Sequence, residues 1–306
     1  MKKDLLSISD LSTKEIWGIF LLAKKLKEEL KKKGKNEKIL EGKSLALVFE
    51  KQSLRTRVSF EIGMAQLGGY VVYLDPRDTG IGVRESEADI AKILSSMASV
   101  VAARTYSHQT IVNIAENSTI PVINALSDIE HPCQALADLF TIWERKGKIE
   151  GLKIAYVGDG ENNVTHSLVL GATMLGATFA CASPKGFWMN RDIASKAKKF
   201  GKVLETIDLR EAVKDADVVV TDTWVSMGDT DKEKRMKIFK KYQVNKEFMK
   251  LAKKDAIFMH CLPAYREKEV TAQVIDGPQS VVFQEAENRM HVQKALLIMI
   301  LILDKK

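Results

Sequence analysis

Short apolar runs alternate along this chain with longer stretches in which apolar residues return every three or four positions. Residues 44–49 form an apolar run of strand length. Behind it, residues 53–67 carry Val58, Ile62 and Ala65 on one helical stripe, and Gly68-Gly69 ends the pattern. The motif then repeats: strand 70–74, helix 84–97, strand 100–103, and a helix–strand pair ending at 121–124. Residues 131–146 read as one long helix. After it the alternation restarts with strand 153–157, helix 164–175, strand 178–182 and helix 191–200. Strands 218–221 and 256–260 follow, and a helix over 285–303 closes the chain.

Two successive runs of strand and helix predict an α/β fold with two doubly wound domains, each a mostly parallel sheet flanked by helices. A length of 306 residues suits two cores better than one. The pattern assigns residues 1–130 and 288–306 to one domain and 151–287 to the other, with 131–150 as a linking helix. Sheets of this kind bind ligands at the carboxyl ends of their strands, so the chemistry is sought there.

Charge changes this picture little. The formal net charge of +7 is carried mostly by Lys, much of it between positions 24 and 38 and interleaved with Glu28, Glu29 and Glu37. That composition describes a solvated helix face and its exit loop. No aromatic-rich basic stretch or known module accompanies it, so no nucleic-acid partner is expected. The apolar run 295–303 is too short to span a bilayer, and Met1-Lys2-Lys3-Asp4 leads into no apolar signal core. Cys133, Cys181 and Cys261 are too few and too dispersed for a disulfide framework. A cytoplasmic protein without a membrane partner is expected.

The densest candidate chemistry lies at 53–57, Ser-Leu-Arg-Thr-Arg, at a strand-to-helix turn. A helix start offers unpaired backbone N–H groups and the positive end of a dipole. Ser53 alone would be a simple cap. Arg55 and Arg57 in the first turn oppose the dipole and repel each other, which makes sense if an anion binds there. Arg104 follows a strand, and His131-Pro132-Cys133-Gln134 opens the long helix. A His beside such a cluster can stabilise an oxyanion. In the second half, Gly158-Asp159-Gly160 invites a dinucleotide reading, but Asn163 stands where the third glycine belongs. No acidic residue ends the next strand either. Asp222 and Cys261 each end a strand. His260 and Cys261, as strand neighbours, are expected on opposite faces, which argues against a metal site. No cofactor or metal is expected.

Together these motifs resemble the aspartate/ornithine carbamoyltransferase family, in family order from about Asp4 to the C-terminus. Ser53-Leu54-Arg55-Thr56-Arg57 resembles its carbamoyl-phosphate signature Ser-Thr-Arg-Thr-Arg, with Leu54 in place of a Thr. The resemblance implies that Ser53, Leu54, Arg55, Thr56, Arg57 and Arg104 hold carbamoyl phosphate. It also implies that His131 meets the carbamoyl oxygen and Gln134 the amide, and that Arg289 in Glu287-Asn288-Arg289 contacts the carbamoyl group. His260-Cys261-Leu262-Pro263 resembles the motif in which the Cys meets the δ-amine and the Leu carbonyl orients carbamoyl phosphate. Asn163 would bind the α-carboxylate of L-ornithine, and Asp222 its α-ammonium. Ser226 and Met227 belong to a Ser-Met-Gly loop that binds and closes over ornithine, with Ser226 assisting at the α-ammonium and 229–235 as a closing lid. Catalysis is assigned to Arg104, His131, Cys261 and Asp222.

Cys133, Met227 and Cys261 point to ornithine rather than aspartate as acceptor, which implies citrulline and phosphate as products and a role in arginine metabolism. Putrescine and acylated ornithine stay open as acceptors, though putrescine would leave Asn163 and Asp222 without a partner. A nicotinamide-dependent oxidoreductase is disfavoured by the broken glycine motif, and an inactive scaffold by the retained Arg and His residues. A homotrimer or an assembly of trimers is implied. Two further departures are Gly80, where relatives carry a Gln that reaches a neighbouring subunit, and Tyr265, where many carry His. Arg84 is a candidate substitute for the first.

Overall fold

The computed structural model describes residues 4–75, 77, 80–81, 84–225 and 231–303. They form two compact units, Met1–Leu136 with Glu287–Lys306, and Ala137–Ala286. Each unit is built on one wholly parallel sheet flanked by helices.

In the first unit, β1 (Ser44–Phe49), β2 (Tyr70–Leu74), β3 (Val100–Arg104) and β4 (Val122–Leu126) lie in the order β2-β1-β3-β4. The helices are α1 (Thr13–Lys33), α2 (Leu54–Gln66), α3 (Glu87–Met97) and α4 (His108–Asn117). Parallel pairing demands crossovers, and right-handed crossovers from a sheet whose order reverses place helices on both faces. Ala46, Val48, Val101 and Ala103 share one core with Ala91, Ile111 and Ile114. The order reverses between β1 and β3, whose ends pair Phe49 with Arg104.

The second unit contains β5 (Lys153–Val157), β6 (Thr178–Ala182), β7 (Val203–Thr206), β8 (Val218–Val220) and β9 (Ile257–Met259), ordered β7-β6-β5-β8-β9. Its reversal lies between β5 and β8. Helices α5 (Pro132–Lys146) and α12 (Val282–Ile298) contain the positions where the chain passes between units. Between them lie α6 (Asn163–Met174), α7 (Arg191–Phe200), α8 (Leu209–Val213), α9 (Lys232–Phe239), α10 (Lys246–Met249) and α11 (Ala272–Ile275). After α12 the final described turn, Met299–Leu303, widens to π geometry.

The departures from expectation have local causes. Edge strand β7 and the short helices α8 to α11 were not anticipated. β7 is only partly buried and pairs on one side, so its four residues carry no continuous apolar signal. Helix α3 begins at Glu87 rather than 84 because Ser86 caps it, its Oγ accepting from Asp89 N at 3.1 Å. Helix α2 reverses the expected face. Val58 and Ile62 are 44% and 46% exposed, while Thr56, Ser59, Phe60, Gly63 and Met64 point inward. At Gly63 that face stays small because α12 lies against it: a Cβ there would stand 3.2 Å from Lys294 Cγ. Strand β9 stops at Met259, short of the expected His260.

Candidate active site

Both units carry candidate polar residues where open parallel sheets bind ligands, beyond the carboxyl ends of strands at the point where the order reverses. In the first unit, Glu50 N donates to Arg104 O at 2.8 Å and ties the ends of β1 and β3 together. Ser53 caps α2, its Oγ accepting from Thr56 N at 3.2 Å. Thr56 Oγ1 accepts from Ser53 Oγ at 3.0 Å and from Arg289 Nη2 at 2.8 Å. Arg289 thereby joins the head of α2 from the end of the chain. Arg104, His131, Gln134 and Arg289 are all buried, and Arg55 is half-buried with its Nε enclosed and lacking a hydrogen-bond acceptor.

Electrostatics show what faces what. His131 is held well below the usual imidazole range by burial, and then by the charges of Arg289, Arg104, Lys51 and Arg55. Four cations therefore surround an imidazole that stays neutral. Gathering like charges in a partly buried space is unfavourable unless an anion neutralises them. A dianion at the head of α2 would meet backbone N–H groups, the Ser53 and Thr56 hydroxyls, and forked guanidinium donors. Lys51 had been given no role. Its pKa is lowered by burial and by Arg104, and its position two residues beyond β1 is the signal that could have singled it out.

The structure does not bring Arg57 or the Leu54 side chain into this cluster. Arg57 Nε donates to Glu61 at 2.9 Å, and its guanidinium lies 3.8 Å from the Tyr73 ring centre. The Leu54 side chain is 75% exposed. Gly80 sits at φ +53°, and a Cβ there would come within 2.8 Å of Arg84 Cβ. The turn, closed by Arg84 N donating to Gly80 O at 2.7 Å, thus excludes any side chain at 80.

In the second unit Asp222, just past β8, is the hub. Asn162 Nδ2 donates to Asp222 Oδ2 at 2.8 Å and Cys261 Sγ to Oδ1 at 3.1 Å. Asn162 also caps α6, its Oδ1 accepting from Val164 N at 2.7 Å. Asn163 is the first residue of that helix and half-buried. The sequence pointed to Asn163 and passed over Asn162, although paired Asn residues before an apolar helix signal a cap. Burial, followed by the Asp222 charge, pushes the Cys261 thiol well above its usual range, so it acts as a thiol and not a thiolate. Ser226 and Met227 lie outside the described residues. Residues 229 and 230 of the expected lid 229–235 also lie outside the described residues; at its far end Arg235 forms a part-buried ion pair with Asp159, and its Nε donates to Trp224 O at 2.7 Å.

Asp222, His260 and Cys261 are the group among the described residues that comes close enough to hold a cation, their ligand atoms lying within 4.8 Å of one another. The expected opposition of His260 and Cys261 thus fails, because β9 ends before them. Both His260 nitrogens are nevertheless engaged, Nδ1 accepting from Leu262 N at 2.9 Å and Nε2 meeting Glu269 Oε1 at 3.3 Å. A third ligand from His260 would cost the turn its hydrogen bonds.

Comparison with known proteins agrees with this division of labour. Residues 3–144 match the carbamoyl-phosphate-binding domain of aspartate/ornithine carbamoyltransferase, and residues 150–300 its aspartate/ornithine-binding domain. The ornithine carbamoyltransferase of Bacillus subtilis is 50% identical, the match covering 98% of this chain and 94% of that protein. That of Pyrococcus abyssi is 49% identical, over 98% and 96%. The solved ornithine carbamoyltransferase of Pyrococcus furiosus superposes with a TM-score of 0.94 at 48% identity, over 98% and 97% of the two chains. With both domains matched and both sheets carrying polar clusters at their reversal points, the chain belongs to the aspartate/ornithine carbamoyltransferase family.

Proposed function

We propose that this enzyme transfers the carbamoyl group of carbamoyl phosphate to the δ-amine of L-ornithine, giving L-citrulline and phosphate. The observation that carries the choice of acceptor is the Asp222 carboxylate, held by Asn162 and Cys261. An anion at that place attracts an α-ammonium and opposes the second carboxylate of aspartate. Asn163, at the first turn of α6, receives the α-carboxylate in the field of the helix N-terminus.

Carbamoyl phosphate occupies the head of α2, with its phosphate on Ser53, Arg55, Thr56, Arg104 and the Leu54 backbone N–H, and Lys51 adding charge. Neutral His131 and Arg289 direct donors at the carbonyl oxygen, and the Gln134 side-chain carbonyl accepts from the carbamoyl N–H. When the δ-nitrogen attacks, negative charge grows on that oxygen, where the donors already point. The C–O bond to phosphate then breaks, and the departing phosphate takes the proton that nitrogen sheds. Cys261 presents a neutral thiol to the amine; a thiolate would favour the unreactive ammonium form.

Exposed apolar side chains of the first unit support an assembly. Val58 and Ile62 on α2, Val72 on β2 and Met97 on α3 are all exposed apolar side chains. Association of first units as a homotrimer, or as a larger set of trimers, would cover them. No described helix is long and apolar enough to cross a membrane, and the three cysteines are free, which supports a cytoplasmic location. The Pyrococcus furiosus relative is named anabolic, which supports citrulline synthesis as the direction.

The test is citrulline-type product formation from carbamoyl phosphate with L-ornithine, L-aspartate, putrescine and N-acetyl-L-ornithine as parallel acceptors. Turnover confined to ornithine is expected. Preference for aspartate or putrescine would overturn the role given to Asp222.

A further inference from the structure

Behind Cys261 lies a buried polar layer to which the reaction assigns no substrate. Asp138 on α5 and Glu285 on α12, each about 1% exposed, are hydrogen-bonded through their carboxyl groups. Two carboxylates offer only acceptors, so this bond requires a proton on one of them. Glu285 Oε2 also accepts from His260 N at 3.0 Å. His260 Nδ1 accepts from Leu262 N at 2.9 Å, so its proton sits on Nε2, which donates to Glu269 Oε1 at 3.3 Å. Tyr265 N donates to the same Glu269 oxygen. The turn so held is strained, since Leu262 adopts φ +56°, a region that disfavours side chains. It is the turn that brings Cys261 Sγ to Asp222.

We propose that Asp138 and Glu285 share one proton and act together as positioning residues that fix the Cys261–Leu262 turn for the acceptor amine. This rests on the assignment of Cys261 and Asp222 to the amine side. The shared proton matters because the pair faces Asp222 and Cys261 as well as the His260 backbone. With the proton, the pair carries one negative charge and grips His260 N. Without it, two negative charges adjoin a third at Asp222, and the bond between the carboxyls is lost. Burial and the neighbouring Asp138 both push the Glu285 carboxyl well above its ordinary 4.5, which agrees with a proton retained at neutral pH. A raised folded pKa means stability that is complete below the unfolded value and declines as pH rises toward the folded one.

The experiment compares the full-length wild type with Glu285→Gln and Glu285→Ala. Gln is an uncharged isostere that still accepts from His260 N and donates to Asp138. The infrared band of a protonated carboxyl should be present in the wild type at pH 7 and lost in E285Q. The Tm of E285Q should pull ahead of the wild type as pH rises from 5 to 9. Kinetically, E285Q should keep kcat/KM within about twofold, while E285A loses about tenfold or more because a buried N–H is stranded. In E285A the loss should fall on KM for the amine and leave KM for carbamoyl phosphate unchanged, which a general loss of folding would not do. Absence of the carboxyl band, or a Tm difference that does not change with pH, would overturn the shared proton. Should E285A fold poorly, the E285Q arm decides alone. The infrared and Tm readouts need no turnover, so they stand even if ornithine fails as a substrate.

Discussion

Replacing Arg55 by Gln tests the anion site most directly. Arg55 is one of four cations facing His131, and its buried Nε awaits an acceptor. A hydrogen bond between charged partners contributes about 1.5–3 kcal/mol, so the variant should bind phosphate roughly 10- to 150-fold more weakly. Without ligand the opposite holds, since removing one of four like charges relieves repulsion and should leave Tm equal or higher. The two effects separate in a thermal shift experiment with inorganic phosphate. At 100 times its Kd, phosphate stabilises the wild type by about 2.7 kcal/mol. At the same concentration a variant about 30-fold weaker gains only about 0.9 kcal/mol. At roughly 2–4 °C per kcal/mol, the shift should fall from about 5–10 °C to about 2–4 °C. Arg57→Gln is the internal control, because Arg57 is engaged with Glu61 and Tyr73, and its shift should match the wild type. Equal phosphate shifts in wild type and R55Q, or a larger loss in R57Q, would refute the assignment.

Other expectations follow from the same geometry. His131 has a lowered pKa, so it contributes stability above its ordinary 6.5 that is lost as pH falls below it. His131→Gln should therefore flatten the acid limb of Tm against pH between about 6.5 and 5; an unchanged limb would mean that folding does not shift the His131 pKa. Burial raises the Asp159 carboxyl to about 6 even with Arg235 beside it. Arg235→Met should raise it further, costing stability increasingly as pH climbs from the ordinary 3.8 through 6 and beyond, as read by denaturant melts at pH 5 and 8. Val58→Asp should lower the oligomeric mass seen by light scattering if α2 faces a neighbouring copy, and an unchanged mass would remove α2 from the interface. Gly80→Gln should destabilise, since the side chain meets Arg84 and φ +53° opposes it; an unaltered Tm would show that the turn rearranges freely.

Much of the architecture was legible because buried parallel strands are written as continuous apolar runs such as 44–49 and 153–157, each ended by a turn. At the head of α2 the sequence argument from paired arginines holds for Arg55, which faces His131, but not for Arg57, which turns to Glu61 and Tyr73. Faces were harder. Val58 and Ile62 look like core residues, because an exposed apolar stripe has the same hydrophobic spacing as an interior one. Asn162 escaped because a cap and a ligand-holding residue are one residue type, and only the bond to Asp222 reveals the second task. Arg235 hid in a charged stretch whose partner, Asp159, lies far away in sequence. The closeness of His260 and Cys261 depended on a strand ending one residue sooner than its apolar content suggested.

The bond from Arg289 to Thr56 sets a schedule for the newborn chain. Its two ends are 233 positions apart, and Gly63 leaves the room for the last long helix to approach α2. At about 5–20 residues per second, a ribosome needs roughly 10–50 s to travel from one to the other. Throughout that interval the first sheet can form, but Thr56 at the head of α2 lacks its Arg289 partner. The head of α2 therefore gains its Arg289 bond only on chains translated past that residue.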